Sequence, residues 1–340
     1  MNQPEFTGIL AKLQSEQDLT KEEMRSTIGW LLSGTAEPAV MKQLLEGMAD
    51  KGETIDELAG AAQALRDSMR RVATSRTSIV DTCGTGGDGS KTFNISTAAA
   101  IVAAAAGANV AKHGNRKITS STGSADVLAE LGVNLEAPPE VAEKCLEQLG
   151  ICFCFAPYFH PAMRHVGPIR KEIPRPTIFN RLGPLANPAS VPHQVLGVGD
   201  ESLQDKLANA LQLLGTERSL VVRGADGVDE LSISAPTRIL EVTPDAIEEH
   251  QWTPEDFGLQ NADRSELFAD DPASSAACIR EVLDSEKGAK RDVVVLNAAA
   301  ALWAARVEEN KINCVERCQQ AIDSGQAKKT VEALAKLTSE

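Results

Sequence analysis

Along the first seventy residues, apolar side chains recur only at helical spacing. Thr20-Lys21-Glu22-Glu23 spells a capping box, with Glu23 three places into a helix expected to run to about Ser33 and Gly34. Glu37-Pro38 opens a second helix, carrying Val40, Leu44, Leu45 and Met48 on one stripe and stopping near Gly52. A third begins at Thr54 and carries Ile55, Leu58, Ala62 and Leu65. The run Arg70-Arg71-Val72-Ala73-Thr74-Ser75 breaks the pattern and reads as a linker.

From Ile79 the pattern changes to short apolar runs alternating with helical stretches. Strands are expected at 78–82, 108–112, 151–155, 220–223, 238–242 and 293–296. Helices are expected between them at 96–106, 124–131, 139–149 and 201–214, and again at 298–305. This grammar predicts an α/β protein: a small all-helical N-terminal domain, 1–72, and a larger α/β domain, 73–340, with a mainly parallel central sheet flanked by helices. The proline-rich segment 160–192 is expected to cross back to the helical unit, chiefly through 163–185, leaving a cleft between the two. In such sheets ligands sit beyond the carboxyl ends of the strands.

Composition narrows the classes. A chain of 340 residues with 42% apolar side chains can bury a large core. Its net charge of −14 opposes binding to a polyanion, so nucleic acid is not an expected partner. The apolar run 98–106 is too short for a membrane span, and Met1 to Glu5 lacks the basic start of a secretory signal, so a cytoplasmic setting is expected. Seven cysteines without framework spacing suit a reducing compartment. Cys152 and Cys154 fit one face of a strand, Cys314 and Cys318 one helix stripe, and all four read as core thiols.

Chemistry concentrates in the loops. Gly84-Thr85-Gly86-Gly87-Asp88-Gly89 follows the first strand and satisfies the dinucleotide pattern G-x-G-x-x-G. That reading requires an acidic residue at the end of the second strand, where Lys112-His113-Gly114-Asn115-Arg116-Lys117 stands instead. Glycines that admit backbone N–H groups, a following helix start at Asn94, Ser96 and Thr97, and a cationic second loop suit a ligand with several phosphates. The run Thr119 to Ser124 adds hydroxyls and another helix start. Asp229 and Glu230, in the loop after the 220–223 strand, are adjacent carboxylates fit for Mg²⁺, and the Ser96 hydroxyl is a further candidate ligand. In the 159–170 segment an arginine in a cleft can hold a carboxylate in two-pronged fashion; a solvated basic helix face is the competing reading. The stretch 179–188 reads as a rigid turn near an interdomain hinge, and His193 and His250 as surface or core residues.

Taken together, Gly84-Thr85-Gly86-Gly87-Asp88, Asn94-Ile95-Ser96-Thr97, Lys112-His113-Gly114-Asn115-Arg116, Gly123-Ser124-Ala125-Asp126, His160-Pro161-Ala162-Met163, Gly183-Pro184-Leu185 with Asn187-Pro188, and Asp229-Glu230 resemble, in order, the motifs of the anthranilate phosphoribosyltransferases. The resemblance implies the nucleoside-phosphorylase-like fold, a homodimer joined through the helical domains, and a Mg²⁺-dependent pentosyltransferase of tryptophan biosynthesis. Its substrates would be 5-phospho-α-D-ribose 1-diphosphate (PRPP) and anthranilate. Carried over by motif, PRPP would be held by Gly84, Gly87, Asp88, Thr92, Asn94, Ile95, Ser96, Thr97, Lys112, His113, Gly114, Asn115, Arg116, Lys117, Ile118, Thr119, Ser120 and Ser124. Gly84, Asn115 and Arg170 would contact anthranilate; Ser96, Asp229 and Glu230 would serve two Mg²⁺ ions. No residue is assigned as acid, base or nucleophile.

Two positions stand out against that pattern. Arg181 occupies a site where an apolar residue is expected, and Cys83, just before the glycine loop, is expected to be buried and inert. Two rival functions remain in view: a pyrimidine-nucleoside-phosphorylase-like enzyme, revealed by phosphorolysis, and a non-enzymatic nucleic-acid-binding paralogue, revealed by salt-sensitive DNA binding.

Overall fold

The computed structural model describes residues 3–116 and 123–340. Four helices come first: α1 (Gln3–Gln14), α2 (Lys21–Leu32), α3 (Pro38–Lys51) and α4 (Ile55–Ser68). Thr20 and Thr54 each close a capping box, with Glu23 and Glu57 respectively. Glu57 is fully buried yet satisfied: it accepts from the backbone N–H of Leu19 and Thr54 and from Lys51 Nζ, each at 2.8 Å. Met24, Ile28, Leu44, Leu45, Met48, Leu58 and Leu65 pack the core of this unit.

The remaining elements are β1 (Ile79–Gly84), α5 (Ile95–Ala105), β2 (Asn109–Gly114), α6 (Ser124–Glu130), α7 (Pro139–Leu149), β3 (Ile151–Phe155), α8 (Ala156–Phe159), α9 (Met163–Glu172), α10 (Phe179–Leu182), β4 (His193–Gly197), α11 (Glu201–Leu213), β5 (Arg218–Gly224), β6 (Thr237–Val242), β7 (Ile247–Trp252), α12 (Pro272–Leu283), α13 (Ala289–Ala304), α14 (Lys311–Asp323) and α15 (Gln326–Ser339). The sheet runs β3-β2-β1-β4-β5-β6-β7. Its first five strands are parallel and the last two antiparallel. The expected α/β architecture, a helical unit followed by a mainly parallel sheet between helices, is therefore what the chain forms. The order turns back at β1, flanked by β2 on one side and β4 on the other, so a crevice opens at the carboxyl end of β1. In the returning segment, α9 packs on α2 and α3, and α10 on α4.

Three strand assignments change. Residues 293–296, expected as a strand, lie inside α13, because that helix is buried on nearly every face and so lacks an amphipathic period. β4 was not foreseen, since His193 and Gln194 disguise a central strand; the Gln194 Nε2 is satisfied by donating to the Pro184 carbonyl at 2.7 Å. β7, Ile-Glu-Glu-His-Gln-Trp, is a polar edge strand with too little apolar alternation to show in the sequence.

Candidate active site

The loop after β1 is built by its glycines and tied down at both ends. Gly86, Gly87 and Gly89 take φ of 67°, 80° and 69°, values that L side chains rarely adopt. Thr85 N–H donates to the Gly197 carbonyl at 2.9 Å, and Gly199 N–H returns to Thr85 Oγ1 at 3.0 Å. At the far end Phe93 N–H donates to the Leu267 carbonyl and Asn94 N–H to Ser275 Oγ. The loop thus leads into α5, whose N-cap Asn94 makes no capping bond with its own side chain.

Gly84, Gly87, Asp88, Thr92, Asn94, Ile95, Ser96, Lys112, His113, Gly114, Asn115, Arg116, Ser124, Asp229 and Glu230 line one cavity of about 870 Å³. Thr97 lies behind its wall, fully buried, with its hydroxyl bonded to Asn94 Oδ1. Lys117, Ile118, Thr119 and Ser120 lie outside the described residues.

Three carboxylates crowd the floor. Asp229 accepts from Gly86 N–H at 2.9 Å, and its own N–H donates to Asp88 Oδ2 at 3.4 Å. Glu230 Oε1 accepts from Ser96 N–H at 3.2 Å. Burial, together with the neighbouring Asp88, raises the Asp229 carboxyl to about 7; burial and then Asp229 push Glu230 upward as well. Lys112, only 3% exposed, answers them: its Nζ donates to Ser96 Oγ at 3.2 Å and to the Thr82 carbonyl. Burial lowers its pKa, and the acidic groups of Asp81, Glu230 and Asp229 oppose that shift. A cluster of hard oxygen donors whose ionised form is disfavoured without a further cation fits a divalent ion such as Mg²⁺.

Beneath this floor lies a residue not foreseen as functional. Asp81, fully buried in β1, accepts from His113 N–H at 3.1 Å and from Asn187 Nδ2 at 2.8 Å, fixing the end of β2 that presents Lys112. An aspartate within an apolar strand run was the available signal. Gly197 was also missed. A Cβ there would lie 1.5 Å from the Asp229 carbonyl oxygen, so β4 must be bare for the carboxylate loop to pass. No local pattern carries that information.

A second cavity, about 650 Å³, adjoins the first and shares Gly84, Gly86, His113 and Asn115 with it. Its outer wall comes from α8 and the returning segment, with Ala156, Pro157, Pro161, Met163, Gly167 and Phe179 beside Arg164, Arg170 and Arg181. Arg170 Nη2 donates to Asn180 Oδ1 at 3.2 Å, and its guanidinium carbon lies 5.5 Å from the Phe179 ring centre. Among the described residues no carboxylate forms an ion pair with it. His113 and His160 face each other here, ring centres 5.0 Å apart, and burial lowers their pKa values to about 3 and about 4. Both are held neutral. Cys83 is buried at the junction, accepting from Gln194 Nε2 at 3.1 Å, and burial raises its thiol well above the ordinary range.

All seven cysteines are buried and unpaired as disulfides. Glu241, Glu248 and His250 gather at the outer sheet edge, but Glu241 is already held by Arg218 at 2.9 Å and His250 at 3.1 Å. His193 is buried in β4, and neither it nor His250 lines either cavity. Among the described residues no helix is long and apolar enough to cross a membrane.

Comparison with known proteins agrees with this layout. Residues 7–69 match the helical bundle domain of the glycosyl transferase family, and residues 76–328 its a/b domain. An anthranilate phosphoribosyltransferase of Thioalkalivibrio sulfidiphilus is 48% identical over 94% of this chain and 95% of its own length. One from Desulfatibacillum aliphaticivorans is 45% identical over 98% and 99%. The crystal structure of the Thermus thermophilus enzyme superposes with a TM-score of 0.91 at 40% identity, over 98% of this chain and 99% of that one. The Saccharomyces cerevisiae enzyme in complex with PRPP and Mg gives 0.90 at 27% identity, over 99% of both. The chain belongs to the anthranilate phosphoribosyltransferases, within the glycosyl transferase family.

Proposed function

We propose that the two adjoining cavities bind PRPP and anthranilate, and that the chain transfers the 5-phosphoribosyl group to the anthranilate amine, giving N-(5-phosphoribosyl)anthranilate and pyrophosphate. The observation that carries this reading is their junction. A glycine-walled chamber with a buried lysine and three carboxylates on its floor opens, past Gly84, His113 and Asn115, into a largely apolar chamber where Arg164 and Arg170 have no carboxylate ion-pair partner among the described residues. The yeast enzyme has also been solved with 4-fluoroanthranilate, at a TM-score of 0.89 and 26% identity.

In this reading the glycine loop and the N-terminus of α5 present N–H groups to the phosphates, while Lys112, Asn94 and Ser124 line the same chamber. Asp229, Glu230 and Ser96 hold Mg²⁺, two ions per subunit, with Asp88 close by. Mg²⁺ held by these residues would supply positive charge against the departing pyrophosphate. Arg170 takes the anthranilate carboxylate, and the apolar wall takes its ring. The residues orient the amine toward ribose C1, where a loose displacement proceeds with inversion. An aromatic amine is nucleophilic and unprotonated at neutral pH, so no strong base is required.

The proposal includes a division of the chain at residues 72 and 73, a homodimer joined through the helical domains, and a cytoplasmic setting. Anthranilate fluorescence tests the activity: it should fall with PRPP and Mg²⁺ and persist when a chelator is added. No consumption by folded protein would overturn the reading, and phosphorolysis of uridine or thymidine would replace it with the nucleoside-phosphorylase alternative. Sedimentation equilibrium tests the dimer.

A further inference from the structure

Arg181, the cation found where an apolar residue was expected, sits on α10, in the wall of the proposed anthranilate cavity. Its Nη1 forms an ion pair with Glu53, whose side chain is 2% exposed in the turn between α3 and α4. The Glu53 carbonyl in turn accepts from Lys206 Nζ of α11 at 2.9 Å, and Asp200, before α11, adds a second acidic field to Arg181. The guanidinium therefore joins α10 to the helical unit beside the sheet.

On the same single turn stand the two residues that hold Arg170. Asn180 Oδ1 accepts from Arg170 Nη2 at 3.2 Å and from Thr177 N–H at 3.0 Å, and Phe179 lies against the Arg170 guanidinium. A four-residue helix has no stability of its own and keeps its place only through its anchors. Phe179 and Leu182 supply apolar anchors, and the pair with Glu53 supplies the ionic one. Arg181 has its charge answered by Glu53, whereas Arg170 has no ion-pair partner among the described residues, so the two arginines divide the work of anchoring and binding.

We propose that the Glu53–Arg181 ion pair is a positioning device for the aromatic substrate, fixing α10 so that Asn180 and Phe179 aim Arg170 into the cavity. This rests on the reading of that cavity as the anthranilate site. Neither Glu53 nor Arg181 is a catalytic residue. Their effect reaches the substrate through Arg170.

Steady-state kinetics of the full-length protein with PRPP and Mg²⁺ test it. Removing one partner leaves a buried charge alone, so the main variant removes both, Glu53→Gln with Arg181→Leu. Its KM for anthranilate should rise about tenfold, the cost of misaligning one charge-assisted bond, while kcat and the KM for PRPP stay within about twofold. Arg181→Lys keeps the ion pair but loses the planar fork, and should raise the anthranilate KM about threefold with PRPP unaffected. This variant decides the question if the double variant does not fold. Anthranilate KM within about twofold of the parent in the folded variants, or an equal rise in both KM values, overturns the proposal. An inactive parent would instead overturn the functional reading on which it rests.

Discussion

Replacing Gly197 by alanine should dismantle the carboxylate floor while leaving the fold standing. Gly197 ends β4, where the backbone of Asp229 crosses it: an added Cβ would sit 1.5 Å from the Asp229 carbonyl oxygen and 2.5 Å from its carbonyl carbon. Ordinary carbon contacts begin near 3.5 Å, so one of the two chains must retreat by about 2 Å. β4 is pinned between β1 and β5 by parallel ladders on both sides, so the loop carrying Asp229 and Glu230 is the part that yields. Overpacking of this kind costs about 1–3 kcal/mol of stability. A misplacement of about 1 Å at a reacting centre costs about a hundredfold in rate, so turnover should fall at least that far. Gly215→Ala is the control. Gly215 has φ of 82° with nothing within 4 Å of an added Cβ, so it bears backbone strain of about 1–2 kcal/mol far from the cleft. The assay is Mg²⁺-dependent loss of anthranilate fluorescence beside a thermal melt for both variants. Near-parental turnover by folded Gly197→Ala, or equal loss of turnover in Gly215→Ala, would refute the reasoning.

Other expectations follow from the same geometry. Asp229→Asn with Glu230→Gln should reduce Mg²⁺-dependent turnover by about a hundredfold or more and change anthranilate binding little; undiminished turnover would sink the metal assignment. Ser96→Ala should act in the same direction but less, since it removes one neutral oxygen beside Lys112 and Glu230. Arg170→Gln should raise the anthranilate KM about tenfold to a hundredfold, with PRPP affinity kept, as read from paired saturation curves. His113 and His160 are neutral when folded, with pKa values of about 3 and about 4 against 6.5 when unfolded. Their unfolded forms bind protons first, so stability is unaffected above pH 6.5 and falls as pH drops below it, by about 4 kcal/mol at pH 5 for the two together. His160→Gln should lessen the fall between pH 8 and 5 by about 2 kcal/mol in urea unfolding, and an unchanged slope would contradict the burial argument.

The sequence by itself determined everything that depends on near neighbours. Thr20 and Thr54 declare their helices because a capping box closes over three residues. The glycine loop, the cationic run from Lys112 and the Asp229–Glu230 pair were legible because phosphate and metal chemistry demands unusual residues in short compass. What only the tertiary structure decided are relations across the chain. The central strand β4 is hidden by His193 and Gln194; the Gln194 amide is satisfied by Pro184 and by Cys83, partners that no local pattern reveals. Residues 293–296 of α13 read as a strand because burial on nearly every face erases the helical period there. Asp81 under Lys112, Gly197 under Asp229 and Glu53 against Arg181 each take their meaning from a partner tens to more than a hundred residues away. Spacing along a chain records the first kind of constraint; packing alone records the second.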